Sequence, residues 1–145
     1  LQRYLPLAAF IPIIIGMAGN VGTQSLTIVV RGLATRKINL KKFGRVAARE
    51  ILIGVLLGVL YGAALGAMGF FQIGESTEMN SLTVAIVVGV SAAFAMMLAA
   101  VVGASTPLIF AKLHIDPAVA TGPFVTTTID VLGVLVYFNM ARLLI

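Results

Sequence analysis

Four long apolar blocks separated by short polar stretches leave this chain few choices of fold. The blocks run from about Leu5 to Val30, Ile51 to Phe71, Leu82 to Ala111 and Pro117 to Leu144. Crossing a hydrocarbon core ~30 Å thick takes about 20 residues of α-helix, and each block is long enough. Lipid offers no hydrogen bonds, so a spanning segment must satisfy its own backbone, as a helix does. Of the 145 residues, 60% are hydrophobic and 10% charged, where a soluble domain carries about a quarter charged. The sequence therefore predicts an all-α membrane protein. Residues 1–145 form a single transmembrane domain, a polytopic bundle of four long helices in contact with the lipid bilayer.

The polar stretches set an expected topology. Arg31–Glu50 holds most of the ten basic residues, Gln72–Asn80 has acids and no base, and Lys112–Pro117 is short and mixed. Basic loops stay cytoplasmic. This predicts a multi-pass protein of the cell inner (plasma) membrane, with Arg31–Glu50 and Lys112–Pro117 inside and Gln72–Asn80 and the C-terminus outside. The first block then begins outside, which suggests a preceding helix and a longer parent chain. The positive-inside rule accounts for the basic loop, so a nucleic-acid partner is not indicated, although anionic lipid is a second use for such a loop. With no cysteine, thiolate chemistry and disulfides are excluded.

Small residues mark the scaffold. Gly54, Gly58, Gly62 and Gly66 recur every fourth residue, a ridge that lets a second helix approach closely. Ser91, Ala95, Ala99 and Gly103 give the third block a similar face.

The first and fourth blocks carry polar residues where lipid would not tolerate them. At about 100° per residue, Gly16, Asn20, Thr23, Gln24 and Thr27 share one face of the first block, and Arg31 continues it. Gly16, Gly19 and Gly22 thin that helix. In the fourth block Thr126 and Thr127 lie one turn before Asp130, on its side of the helix. Asp116-Pro117 reads as an N-cap with proline at the first helical position. If the helices continue through Pro12 and Pro123, the carbonyls of Ala8 and Val119 lose their donors. Asn20 and Asp130 both fall near the midplane. A carboxylate there costs ~2.5–3.5 kcal/mol on insertion scales, and no Lys or Arg is near enough to offset it. Either Asp130 is protonated and bonded to Thr126 or a neighbouring helix, or a cation neutralises it. The surrounding donors are all oxygens, which suit a hard cation rather than a soft metal. Mg²⁺ keeps its waters, so it would bind through its hydration shell to one or two carboxylates. A two-fold dimer would supply two copies of Asp130 around one axis.

FIPIIIGMAGNVGTQSLTIVVRGLATRKI (10–38) and DPAVATGPFVTTTIDVLGVLVYF (116–138) closely resemble the transmembrane domain of the bacterial MgtE magnesium channels, which eukaryotic solute-carrier relatives share. The resemblance covers nearly the whole chain. It implies helices 2–5 of a five-helix domain that works as a homodimer, with the family's first helix, cytosolic N domain and paired CBS regulatory domains lying outside this sequence. It implies a pore at the dimer interface between the first and fourth blocks. There Asp130 and the Thr126 carbonyl hold a hydrated ion, and Gly16, Gly19, Asn20 and Thr23 line the cytoplasmic narrowing. Gln24 and Thr127 extend the expected lining.

The expected function is that of a Mg²⁺-selective divalent cation channel, with Mn²⁺, Co²⁺ and Ca²⁺ as further candidate ions. The alternative is a secondary transporter exchanging Mg²⁺ for Na⁺ or H⁺. An enzyme is not expected. Ser105 is the tempting nucleophile, but a serine needs a base in reach, and His114 lies seven residues on at a segment end. Asp130 lacks the second carboxylate of an aspartyl dyad.

Overall fold

The computed structural model describes residues 5–38, 43–73, 80–118 and 122–145. A one-turn helix α1 (Leu5–Ala8) precedes four long ones: α2 (Ile11–Ala34), α3 (Phe43–Ile73), α4 (Ser81–Lys112) and α5 (Gly122–Leu144). All four are long and apolar enough to cross a membrane, and no strand occurs among the described residues. The molecule is a polytopic helical bundle.

Several boundaries differ from the sequence expectation. The first block is broken at Ala9–Phe10, and Pro12 falls in the first turn of α2. That position needs no N–H, so no continuous helix crosses Pro12 to strip Ala8 of its donor. The second block begins eight residues before Ile51, at Phe43, and takes Arg45, Arg49 and Glu50 out of the expected loop. Charge does not stop a helix that has left the apolar layer. The fourth begins later than Pro117, at Gly122. Asp116 caps only a turn, its Oδ1 accepting from Ala118 N–H at 2.9 Å. Gln72 and Ile73 of the expected Gln72–Asn80 loop are the last residues of α3, and the Val119 carbonyl and residues 74–79 lie outside the described residues. Asn80 is the N-cap of α4, accepting from Leu82 N–H at 2.9 Å.

The helices alternate in direction. Gly54 lies against Ala100, Gly58 against Ala93, Gly62 against Gly89 and Gly66 against Ala85, so α3 and α4 run antiparallel. A methyl group on Gly58 would meet Ala93 O at 2.8 Å, and one on Gly66 would meet Ala85 O at 2.9 Å. The glycine ridge is thus a backbone-to-backbone seam. α4 meets it with Ala85, Gly89, Ala93 and Ala100. Its other small face, Ser91–Gly103, turns elsewhere: Ala99 and Gly103 pack on Gly22 of α2. α4 is the central post, touching α2, α3 and α5, while α2 and α3 scarcely meet. Its inner residues Val84, Val87, Val88, Ala92 and Met96 are fully buried. α5 runs antiparallel to α2, with Ile129 on Gly22 and Gly133 near Ile15.

One buried polar contact ties the chain's two ends together: Tyr137 Oη donates to Leu7 O at 2.6 Å. Leu7 O also accepts from Phe10 N–H at 3.1 Å, so removing the hydroxyl takes away one of its two hydrogen bonds and leaves the other. Tyr137→Phe is expected to lower stability by about 0.5–1.5 kcal/mol, the net worth of one hydrogen bond, read as the midpoint of thermal unfolding in detergent. An unchanged midpoint would show the contact to be dispensable.

Candidate cation site

Asp130 comes from the middle third of α5, carried there by the antiparallel crossing with α2. Its Oδ1 lies 3.9 Å from where a methyl group on Gly19 would stand. A methyl there would make ordinary van der Waals contact with the carboxylate, and a longer side chain would compete with it for space over the α2 backbone. Gly16, one turn away, has nothing within 4 Å of such a methyl. Glycine at both positions keeps the floor beside the carboxylate open.

The polar residues of these two helices are not packed inside the bundle. Gly16, Asn20, Thr23, Gln24, Thr27 and Arg31 of α2 are all exposed, and Gly19 is half-buried. On α5, Asp130 and Thr127 are exposed and Thr126 is half-buried. The opposite face of α2 is apolar and buried, through Ile14, Ala18, Val21, Leu26 and Val29. Packing on α4 and α5 thus fixes which way the polar stripe points.

The threonines do not serve Asp130. Thr23 Oγ1 donates to Gly19 O at 2.7 Å, and Thr27 Oγ1 to Thr23 O at 2.8 Å. Thr127 Oγ1 donates to Pro123 O at 2.7 Å. Thr126 Oγ1 lies at 3.2 Å from Gly122 O and 3.1 Å from Pro123 O. With each proton directed back to the helix, the hydroxyl lone pairs remain free to accept outward. The Thr126–Asp130 side-chain bond, one alternative the sequence left open, is not formed. Asp130, Asn20 and Gln24 make no side-chain hydrogen bond or ion pair with a described residue. The surface therefore offers acceptors, a formal negative charge and two uncommitted amides. Among the described residues no three of His, Asp and Glu converge to cage a bare metal ion.

The model of the MgtE family, described as divalent cation transporters, matches residues 11–140. The chain belongs to this family. It is 36% identical over 145 residues, all of its length, to the magnesium transporter MgtE of Thermus thermophilus. It is 39% identical over 137 residues, 94% of its length, to that of Enterococcus faecalis. The Bacillus subtilis magnesium transporter MgtE is 35% identical over 141 residues, 97% of the chain. The match spans only 31%, 29% and 30% of those relatives respectively. Within this MgtE domain, sequence reasoning singled out the polar stripe and Asp130. It did not find that α5 crosses α2 so as to set the carboxylate over Gly19. Nor did it find that Gly133 lies at that crossing, where a methyl would stand in ordinary van der Waals contact 3.8 Å from Ile15 Cγ1.

Proposed function

We propose that this domain is the membrane pore of a magnesium channel, and that two copies enclose the conduction path between their α2 and α5 helices. One observation carries the reading: Asp130 of α5 stands beside Gly19 of α2, and Asn20, Thr23, Gln24 and Thr127 on the same two helices are exposed rather than packed inside the bundle. Polar and ionisable residues within spanning helices face protein or water, since lipid disfavours them. A second copy related by a two-fold axis covers this face and pairs the two carboxylates. Their combined charge matches a divalent cation that keeps its water, and the amide and hydroxyl oxygens accept from that water. The basic end of the bundle is cytoplasmic in this reading, by the charge rule for loops.

Transport is tested with the purified protein in vesicles, under an imposed membrane potential and without a Na⁺ or H⁺ gradient. Mg²⁺ entry is expected under these conditions, driven by ~2.3 kcal/mol per charge per 100 mV. Entry that appears only when a counter-ion gradient is imposed would replace the channel with an exchanger.

The enclosing copy is tested separately. The chain has no cysteine, so a single introduced thiol reports unambiguously. Gln24→Cys is expected to form an oxidant-induced covalent dimer in membranes, whereas Leu60→Cys, exposed on α3, is not. Equal cross-linking of both would argue against an α2–α5 interface.

A further inference from the structure

A cavity at the basic end of the bundle plays no part in the transport reading. It has a volume of about 600 Å³ and is walled by the last turns of α2, the segment just after it and the first turns of α3. Arg31, Lys37, Arg45 and Arg49 line it, with Glu50 the one acid. Local structure explains why they converge. Arg45 and Arg49 are one turn apart on α3. Past the end of α2, Arg36 takes a left-handed φ of 57° and the chain doubles back. Ile38 N–H then donates to Gly32 O at 3.0 Å, and the Ile38 side chain closes over Gly32. That hook places Lys37 on the same cavity as the α3 arginines.

Charge and depth both favour one kind of occupant. Four cations less one carboxylate leave a formal +3 on the lining. Glu50 is 4% exposed and makes no hydrogen bond or ion pair with a described residue, so the guanidinium and ammonium groups are not spent on it. One turn deeper, Ile28 and Ile53 continue the wall into the apolar span. A basic mouth over an apolar wall, at the end of membrane-length helices, fits an amphiphile whose head is anionic. We propose that this cavity seats the phosphate headgroup of an anionic phospholipid. Arg45 and Arg49 hold the phosphate as paired donors, and the upper acyl chain lies along Ile28 and Ile53. The proposal is independent of conduction, because binding is read without flux.

The test is native mass spectrometry of the purified protein in an uncharged detergent, titrated with phosphatidylglycerol or phosphatidylcholine. Phosphatidylglycerol is expected to give a retained adduct and phosphatidylcholine is not. The double variant Arg45→Gln/Arg49→Gln should weaken that adduct about tenfold or more. Arg45→Lys/Arg49→Lys, which keeps the charge, should retain most of it and confirms that the fold survives change at these positions. The comparison that decides sets Lys112→Gln against Arg49→Gln. Each removes one charge from the same end of the bundle, but Lys112 does not line the cavity. Equal weakening by these two variants would mean diffuse attraction and would overturn the site. Displacement of the adduct by millimolar inorganic phosphate, with the same dependence on Arg45 and Arg49, would make the ligand a soluble phosphate and overturn the lipid assignment.

Discussion

Asp130→Asn is expected to cut Mg²⁺ flux about a hundredfold at Mg²⁺ concentrations well below saturation. Asparagine keeps the shape and removes only the charge, so the effect can be sized. A hydrated Mg²⁺ reaches a carboxylate through one layer of water, a charge separation of about 5 Å from summed metal–oxygen and hydrogen-bond lengths. At that distance a unit charge attracts a divalent ion by about 1.7 kcal/mol even with the dielectric of bulk water. This is the weakest limit, and a partly dry site raises it. Each copy therefore contributes about tenfold, and two copies around one axis about a hundredfold. Thr128→Val is the control: its hydroxyl donates to Phe124 O at 2.8 Å along α5, and its loss should leave flux near wild type. The measurement is uptake into vesicles holding a Mg²⁺-sensitive dye. Equal flux through wild type and Asp130→Asn would sink the claim that this carboxylate holds the permeating ion.

What the sequence made legible follows from the range of the forces involved. The four spans were readable because hydropathy over about 20 residues is a local sum. The lone acid was readable because its cost in lipid depends on no particular neighbour. Boundaries were harder. The run Arg45–Arg49–Glu50 looks like loop by charge, yet helix propensity does not penalise arginine or glutamate, and α3 extends through it. Pro117 looked like a helix start and instead sits in a turn before α5. The partners of the glycine ridge were out of reach, since α4 presents small residues on two faces and only packing decides which one meets α3. The basic cavity was equally hidden. Its lining comes from both sides of a chain reversal, and the left-handed residue making that reversal is an arginine, not the glycine a reader would look for.

The second large effect concerns the point where three helices meet. Gly103→Leu is expected to destabilise the protein by about 3 kcal/mol, the upper end of what overpacking costs. A methyl group on Gly103 already runs into the Gly22 carbonyl oxygen, and it would stand 2.9 Å from Gly22 C and 3.1 Å from Gly22 Cα. These are backbone atoms, so no rotamer change relieves the clash, and α2 must move away from α4. Gly22 is in turn covered by Ile129 of α5 and would meet Ala99 O at 3.0 Å, so the displacement carries into the α2–α5 crossing. Gly19 is three residues from Gly22 and Asp130 directly follows Ile129, which couples this packing to the candidate ion site. Partial unfolding is therefore not the only expected readout: any Gly103→Leu protein that survives purification should also conduct poorly. Gly16→Ala supplies the opposite sign. Nothing lies within 4 Å of a methyl there, and alanine favours the helix over glycine by about 0.8–1.0 kcal/mol. Its unfolding midpoint should hold or rise while that of Gly103→Leu falls by several degrees or more. If both variants melt with the wild type, the close approach of α2 to α4 at Gly22 and Gly103 does not exist in the membrane, and the geometry that sets Asp130 over Gly19 loses its support.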